Sequence, residues 1–234
     1  MNPEVAPSSV PRPRGGILWL CRRCGEEQVA FSKKLPEDQL CYTCRDAQPV
    51  PFPEAAAGIP ELYRRLTRES WIAHFQRPWP AALDHWTGSP HWVALWGPTG
   101  TGKTGLATVM LAEHLRTGRR GRWISGPELA YRIQRNFADA EDVLAPLLVT
   151  PLLVLDEPLS GSSADWYLER LTLITRSRDD RGLPTLITSQ LLPELLVELS
   201  PAAPPPLLSR WLSGLHIHDE LGGEDVRLRL RGAR

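Results

Sequence analysis

Gly97–Thr104 reads GPTGTGKT, which puts Gly97, Gly102, Lys103 and Thr104 at the fixed positions of a G-x-x-x-x-G-K-[ST] phosphate-binding loop. Glycines let successive backbone N–H groups turn inward around phosphate oxygens, and the helix that follows adds the positive end of its dipole. Lys103 is expected to reach the β- and γ-phosphates of ATP, and the Thr104 hydroxyl to hold Mg²⁺. Nucleotide contact is assigned to Gly97, Pro98, Thr99, Gly100, Thr101, Gly102, Lys103, Thr104 and Gly105. The competing reading is a chance glycine-rich turn, and the flanks oppose it. His91–Trp96 is a short apolar, strand-like run, and Leu106, Val109, Met110, Ala112 and Leu115 follow at helical spacing.

Leu152–Glu157 (LLVLDE) carries four apolar residues into two carboxylates. A fully buried parallel strand reads as such a run. Beside a phosphate loop, the carboxylate at its C-terminal end meets Mg²⁺ directly or through water, which is the role expected of Asp156. Glu157 is placed to polarise the attacking water; the rival reading is an ordinary strand ending in a surface turn. Leu183–Ser189 is a second buried strand, followed by Gln190. Strand ends line the ligand crevice of open parallel sheets, so Gln190 is expected to bond the γ-phosphate or its water. A helix-capping surface glutamine is the alternative.

A third constellation lies near the N-terminus. Cys21-x-x-Cys24 and Cys41-x-x-Cys44 are separated by sixteen residues, the pattern of a structural zinc site. Four thiolates close a tetrahedron around Zn²⁺ and leave no position open for catalytic water. A segment this short folds on metal binding energy. Two disulfides or a redox pair compete with zinc, and both fit a reducing compartment poorly. The surrounding charges balance, with Arg22, Arg23, Lys33, Lys34 and Arg45 against Glu26, Glu27, Glu37, Asp38 and Asp46. Trp19, Phe31 and Tyr42 either stack on bases or pack a small core, and the core reading is preferred.

The elements that must hold these residues are read from the rest of the chain. Its 234 residues suffice for one full core and a small accessory module. The 27 basic residues, 24 of them arginine, balance 27 acidic ones, so any DNA binding must come from a local patch. No apolar run reaches the roughly 20 residues of a membrane span, and no signal-peptide core is visible. With all cysteines in one cluster, a reducing cytoplasm and no membrane partner are expected. Residues 1–16 read as a disordered tail, 17–46 as the zinc module, 47–58 as a Pro/Ala linker and 59–234 as the nucleotide-binding domain.

Within that domain Ile59–Phe75 is a helical or irregular lead-in, and Pro78–Pro90 is Trp/Pro-rich packing. Gly121–Ser125 is a strand, and Glu128–Phe137 is an amphipathic helix with Leu129, Ile133 and Phe137 on one face. Ala138–Leu148, Trp166–Arg178 and Leu191–Leu199 are further helices, and Ser200–Pro206 is a rigid loop. Leu207–Gly214 is a short helix, while Leu215–His218 and Val226–Leu230 are closing strands. The fold class expected is a three-layer α/β domain with a mainly parallel sheet.

From about Ile59 to Arg229 the chain resembles the AAA+ ATPases of the DnaC/DnaI helicase-loader and IstB transposition-helper family. The resemblance is carried by IPELYRRLTRESW, GPTGTGKTGLA, WISGPELAYRIQ, LLVLDEP, GLPTLITSQLLPEL, LLSRWLSG and GGEDVRLR, in that order. Gly105 stands where the family often has histidine or asparagine, and Gln190 where asparagine is usual. The resemblance implies an arginine finger at Arg210, completing a neighbouring subunit's site in a self-assembled oligomer. It also implies that the zinc module meets a partner. No helical lid with a second sensor follows; Arg227 and Arg229 are candidates to replace it in part. An ABC-type ATPase is excluded: only 53 positions separate Lys103 from Asp156, and Leu159–Ser163 (LSGSS) follows the acidic strand instead of preceding it.

The leading expectation is ATP-dependent loading of a replicative helicase onto single-stranded DNA, in a bacterium or phage. A transposition-targeting ATPase, and a nucleotide-gated adaptor with hydrolysis blunted by Gln190, are the alternatives. For the cysteine cluster the expected outcome is one zinc per chain in freshly purified protein by metal analysis. Chelation should leave ATP binding intact. Disulfides by mass spectrometry with no bound zinc would refute this reading.

Overall fold

The computed structural model describes residues 17–20, 27–30, 54–84, 86, 91–136, 139–190 and 205–217. The four cysteines, Phe31, Tyr42, the tail 1–16 and residues 47–53 of the linker lie outside the described residues. So do Phe137, Leu191–Leu199, residues 200–204, Val226–Leu230, Arg227 and Arg229. The chain divides between Pro49 and Val50 into two compact units, each taken by itself. In the first, strands β1 (Ile17–Leu20) and β2 (Glu27–Ala30) pair antiparallel, from Ile17 opposite Ala30 to Leu20 opposite Glu27.

The second unit is built on five parallel strands: β3 (Trp92–Trp96), β4 (Gly121–Ser125), β5 (Leu152–Asp156), β6 (Thr185–Ser189) and β7 (Leu215–Ile217). Their spatial order is β4-β5-β6-β3-β7. Side chains alternate across a strand, so one sheet cannot bury these runs without cover on both faces. Trp92, Ala94, Trp96, Leu153, Leu155 and Ile187 face one core; Val93, Leu95, Leu152, Val154 and Leu186 face the other.

The second of these cores is closed by α3 (Lys103–Arg116), with Leu106, Val109, Leu111 and Leu115, by Ile59 and Trp71 of the lead-in, and by Trp79 of the Trp/Pro-rich stretch. The first is closed by α4 (Gly126–Arg135), α5 (Ala140–Val149), α6 (Asp165–Asp180) and α7 (Pro205–Leu212). Each fully buried large apolar side chain contributes roughly 1.5–3 kcal/mol. This is the three-layer α/β architecture expected.

The boundaries differ in instructive places. The lead-in resolves into a 3₁₀ turn at Glu61–Tyr63 and α1 (Arg68–Phe75), opened by a capping box between Thr67 and Ser70. Ala81–Asp84 forms a one-turn helix, α2, in the Trp/Pro-rich stretch. Helix α7 starts at Pro205, inside the stretch expected as loop, because a proline at a helix start lacks only an N–H that has no partner there. The end of the expected linker, Glu54–Gly58, packs on the second unit. Ala57 is buried there, its carbonyl accepts from the Trp123 N–H at 2.7 Å, and a Cβ at Gly58 would meet the Trp123 carbonyl at 2.6 Å. Among the described residues no helix is long and apolar enough to cross a membrane.

Arg178, near the end of α6, is fully buried. Its guanidinium donates to the Leu147 carbonyl at 2.9 Å, the Thr150 carbonyl at 2.8 Å, the Pro184 carbonyl at 2.6 Å and Thr185 Oγ1 at 2.8 Å. Leu147 and Thr150 sit where α5 ends, and the last carbonyls of a helix lack intrahelical partners. One planar fork thus caps α5 and ties it to the entry of β6. Arg178→Met keeps the apolar stem and strands these carbonyls. It is expected to lower the unfolding free energy by on the order of 3 kcal/mol in denaturant titration. Arg178→Lys should recover only part, because an ammonium lacks the fork geometry.

Candidate nucleotide-binding site

Parallel register brings four strand ends to one edge of the sheet. Trp96 lies opposite Ser189, Asp156 opposite Thr188 and Ser125 opposite Asp156. The residues just past the ends of β3, β6 and β5, namely Gly97, Gln190 and Glu157, therefore share one cleft. The Gly97 N–H donates to the Ser189 carbonyl at 3.2 Å, fixing the loop's first residue to β6.

Between β3 and α3 the loop turns on Gly97, Gly100 and Gly102, with φ of 146°, 79° and 98°. A side chain is disfavoured at such angles, so the glycines are required by the turn itself. Thr101 is buried, and its hydroxyl donates to the Pro98 carbonyl at 2.9 Å. Lys103, also buried, donates to the Gly97 and Pro98 carbonyls, both at 2.8 Å. Its ammonium is thereby held over the loop, 3.9 Å from Glu157 Oε1.

The lead-in buttresses the loop from outside. Trp71 Nε1 donates to the Gly102 carbonyl at 3.0 Å, and a Cβ at Gly102 would lie 3.0 Å from the Phe75 ring. A Cβ at Gly105 would meet Leu66 Cδ2 at 3.1 Å and Trp71 Cδ1 at 3.2 Å. Any side chain at position 105 would require Leu66 or Trp71 to give by a few tenths of an ångström.

Asp156 is buried, and its Oδ1 accepts from Thr104 Oγ1 at 2.8 Å and Thr188 Oγ1 at 2.7 Å. Burial pushes its carboxyl up, against the two hydroxyl bonds and the Lys103 charge. Glu157 leaves the strand in a left-handed conformation, φ 48°. Its carboxyl is also raised, by burial and by the Asp156 charge, with Lys103 opposing. Non-glycine residues in this region carry backbone strain, which clusters at functional sites. The Gln190 N–H donates to Glu157 Oε2 at 3.2 Å, and the Gln190 side-chain oxygen accepts from Thr99 Oγ1 at 2.7 Å.

The structure therefore brings Lys103, Thr104, Asp156, Glu157 and Gln190 together, and leaves Arg210 elsewhere. Arg210 Nε donates to Asp179 Oδ2 at 3.0 Å. Asp179 Oδ1 also bonds His91 Nε2 at 2.9 Å and accepts from Trp92 Nε1 at 3.1 Å. Trp92 opens β3, so Arg210 sits at the opposite end of that strand from the loop, about 13 Å along it. Sequence reasoning missed Thr188 and Asp179, and it assigned Thr99 to the nucleotide without its bond to Gln190. A polar residue in register with the last carboxylate of a buried strand is the signal that would have found Thr188.

The site fits a nucleotide triphosphate with a hard divalent cation. A glycine cradle opens a helix N-terminus, and a hydroxyl and a carboxylate, both oxygen donors suited to Mg²⁺, stand side by side.

Neither a family model nor a curated protein matches the chain. Among solved structures it is similar to the replication initiator DnaA bound to AMPPCP and single-stranded DNA, with 19% identity and TM-score 0.56 over 68% of this chain and 50% of that one. AMPPCP-bound DnaA from Aquifex aeolicus gives 19% identity and TM-score 0.50 over 60% and 44%. The DnaC helicase loader gives 19% and 0.54 over 68% of this chain and 99% of that one. The chain spans about half the length of the DnaA structures it matches. The shared feature is the fold.

Both carboxyls, the buried Asp156 and the half-buried Glu157, are raised, so their charged forms cost stability above the raised values. That cost starts to shrink as pH falls through them and is gone only below the ordinary carboxylate range, because in between the native protein holds the proton and the unfolded chain does not. Asp156→Asn keeps an oxygen for both hydroxyls and removes the charge. It is expected to raise the melting midpoint of nucleotide-free protein at neutral pH in scanning calorimetry. Its advantage over the parent should shrink as the buffer is taken down into the carboxylate range.

Proposed function

We propose that this chain is an ATPase that loads a replicative helicase onto single-stranded DNA. The observation that carries the ATPase reading is the convergence of Lys103, Thr104, Asp156 and Glu157 on one buried sheet edge. The loader reading is supported by the fold likeness to the DnaC helicase loader, whose chain is matched almost whole. Binding of single-stranded DNA is supported by the same likeness to a DnaA structure that holds it.

The loop N–H groups and Lys103 bind the phosphates, and Lys103 stays aimed by its two carbonyl partners. Thr104 and Asp156 hold Mg²⁺, which supplies charge neutralisation on the phosphate oxygens. Glu157, at the cleft edge beside Lys103, accepts a proton from the attacking water. Gln190 fixes Glu157 through its N–H and meets the γ-phosphate when its side chain leaves Thr99. Arg210 leaves Asp179 to enter a neighbouring copy's site. The cysteine module holds zinc and recognises the helicase. A nucleotide-gated adaptor with weak hydrolysis is the second reading, favoured by the bonds that already engage both Gln190 and Glu157.

Lys103→Ala is expected to abolish ATP binding in equilibrium titration; unchanged affinity would overturn the nucleotide reading. A pull-down with Glu157→Gln should retain the helicase in ATP, and capture of a transposase instead would redirect the function. Arg210→Ala should keep binding and lose hydrolysis by on the order of 10³. Mixed with Lys103→Ala protein it should regain part of the activity, since that pair builds one interface with an intact loop and an intact finger. Parent-level hydrolysis by Arg210→Ala alone would remove the finger assignment and leave Arg210 as the anchor of Asp179.

A further inference from the structure

Thr188 is fully buried at the end of β6, directly across the ladder from Asp156. Its hydroxyl donates to Asp156 Oδ1 at 2.7 Å and accepts from the Glu157 N–H at 3.0 Å. We infer that Thr188 is the residue that positions the cation-binding carboxylate and the strained Glu157 turn together. The inference rests on the nucleotide reading and deepens it.

Asp156 Oδ1 has two hydroxyl donors, Thr104 and Thr188. Thr104 is also a cation ligand in the proposed site, whereas Thr188 has no such role and its hydroxyl serves only the carboxylate and the turn. Past Asp156 the backbone turns left-handed, so the Glu157 N–H leaves the line of the β5–β6 ladder. The Thr188 hydroxyl takes that N–H instead. Only a hydroxyl carries both a rotatable proton and free lone pairs on one atom, so it can donate to one group while accepting from the other. Valine has the same shape and neither capacity. Serine keeps both.

The Glu157 turn is held on its far side as well. Tyr167, buried on α6, donates its hydroxyl to the Pro158 carbonyl at 2.6 Å. A Cβ at Gly126 would meet the Glu157 carbonyl at 2.4 Å, so α4 presses against the same turn. With Tyr167 and Gly126 fixing its exit, Thr188 fixes its entry. The bond from Thr188 is the one that reaches the cation carboxylate itself.

The test compares parent, Thr188→Val and Thr188→Ser full-length proteins, using a fluorescent ATP analogue titrated in EDTA and across Mg²⁺ concentrations. Thr188→Val is expected to bind the analogue in EDTA within about twofold of the parent and to need about tenfold more Mg²⁺ for half-maximal enhancement, the loss of about one hydrogen bond. Thr188→Ser should need no more Mg²⁺ than the parent, within about twofold. An unmoved Mg²⁺ requirement in Thr188→Val overturns the inference, as does Thr188→Ser failing like Thr188→Val. Melting midpoints are taken for each, with Thr188→Ala replacing Thr188→Val if the latter does not fold. If neither folds, the hydroxyl serves the fold and the inference falls. A parent that binds no analogue overturns the nucleotide reading itself, which separates the two failures.

Discussion

Lys103 and Asp156 are buried and Glu157 half-buried at one cleft edge, and the two buried charges are costly there without partners. Their mutual attraction offsets part of the desolvation, yet both carboxyls remain raised. The remainder is carried by neutral hydroxyls and backbone groups: Thr104 and Thr188 on Asp156, the Gln190 N–H on Glu157, and loop carbonyls on Lys103. The nucleotide-free site is thus held short of electrostatic balance, which is the state that favours a cation and a polyphosphate on arrival.

The sheet supplies the rigidity this arrangement needs. Parallel strands in register end together, so the loop, the acidic pair and Gln190 reach one edge without any long connection having to place them. Both faces of the sheet are packed, with Trp92, Trp96 and Trp211 on one side and Trp71 on the other all essentially inaccessible. Large aromatic contacts resist small displacements, and a site of this kind loses function when its groups drift by an ångström. The opposite end of β3 carries a second polar cluster, where Asp179 gathers His91, Trp92 and Arg210. The fold therefore separates a lysine-and-acid cluster from an arginine-and-acid cluster by the length of a strand.

Much of this is legible in the residues because it is local. The glycine pattern reports backbone angles directly, and the apolar runs WVALW and LLVLD report burial on both faces. The zinc pattern is equally local, although its cysteines lie outside the described residues. The features that escape the sequence depend on register. Thr188 becomes informative only when β6 is set beside β5, and Arg178 reads as one more surface arginine until α5 is seen to end over it. Gln190 reads as facing the phosphate, whereas its side chain meets Thr99, because the distance from loop to strand end is a property of packing. The start of α7 at Pro205 is hidden by a run of prolines that reads as loop on composition alone.

The indole of Trp71 has a historical consequence. It fills the space beside Gly105 and holds the Gly102 carbonyl, so positions 71 and 105 are not free to vary separately. A side chain at position 105 presses on Leu66 and Trp71, and relieving it by a smaller residue at 71 removes the donor to that carbonyl. Either substitution taken first leaves a clash or a hole against the phosphate loop. Changes at the two sites are therefore expected to be coupled, with glycine the least strained residue opposite the tryptophan.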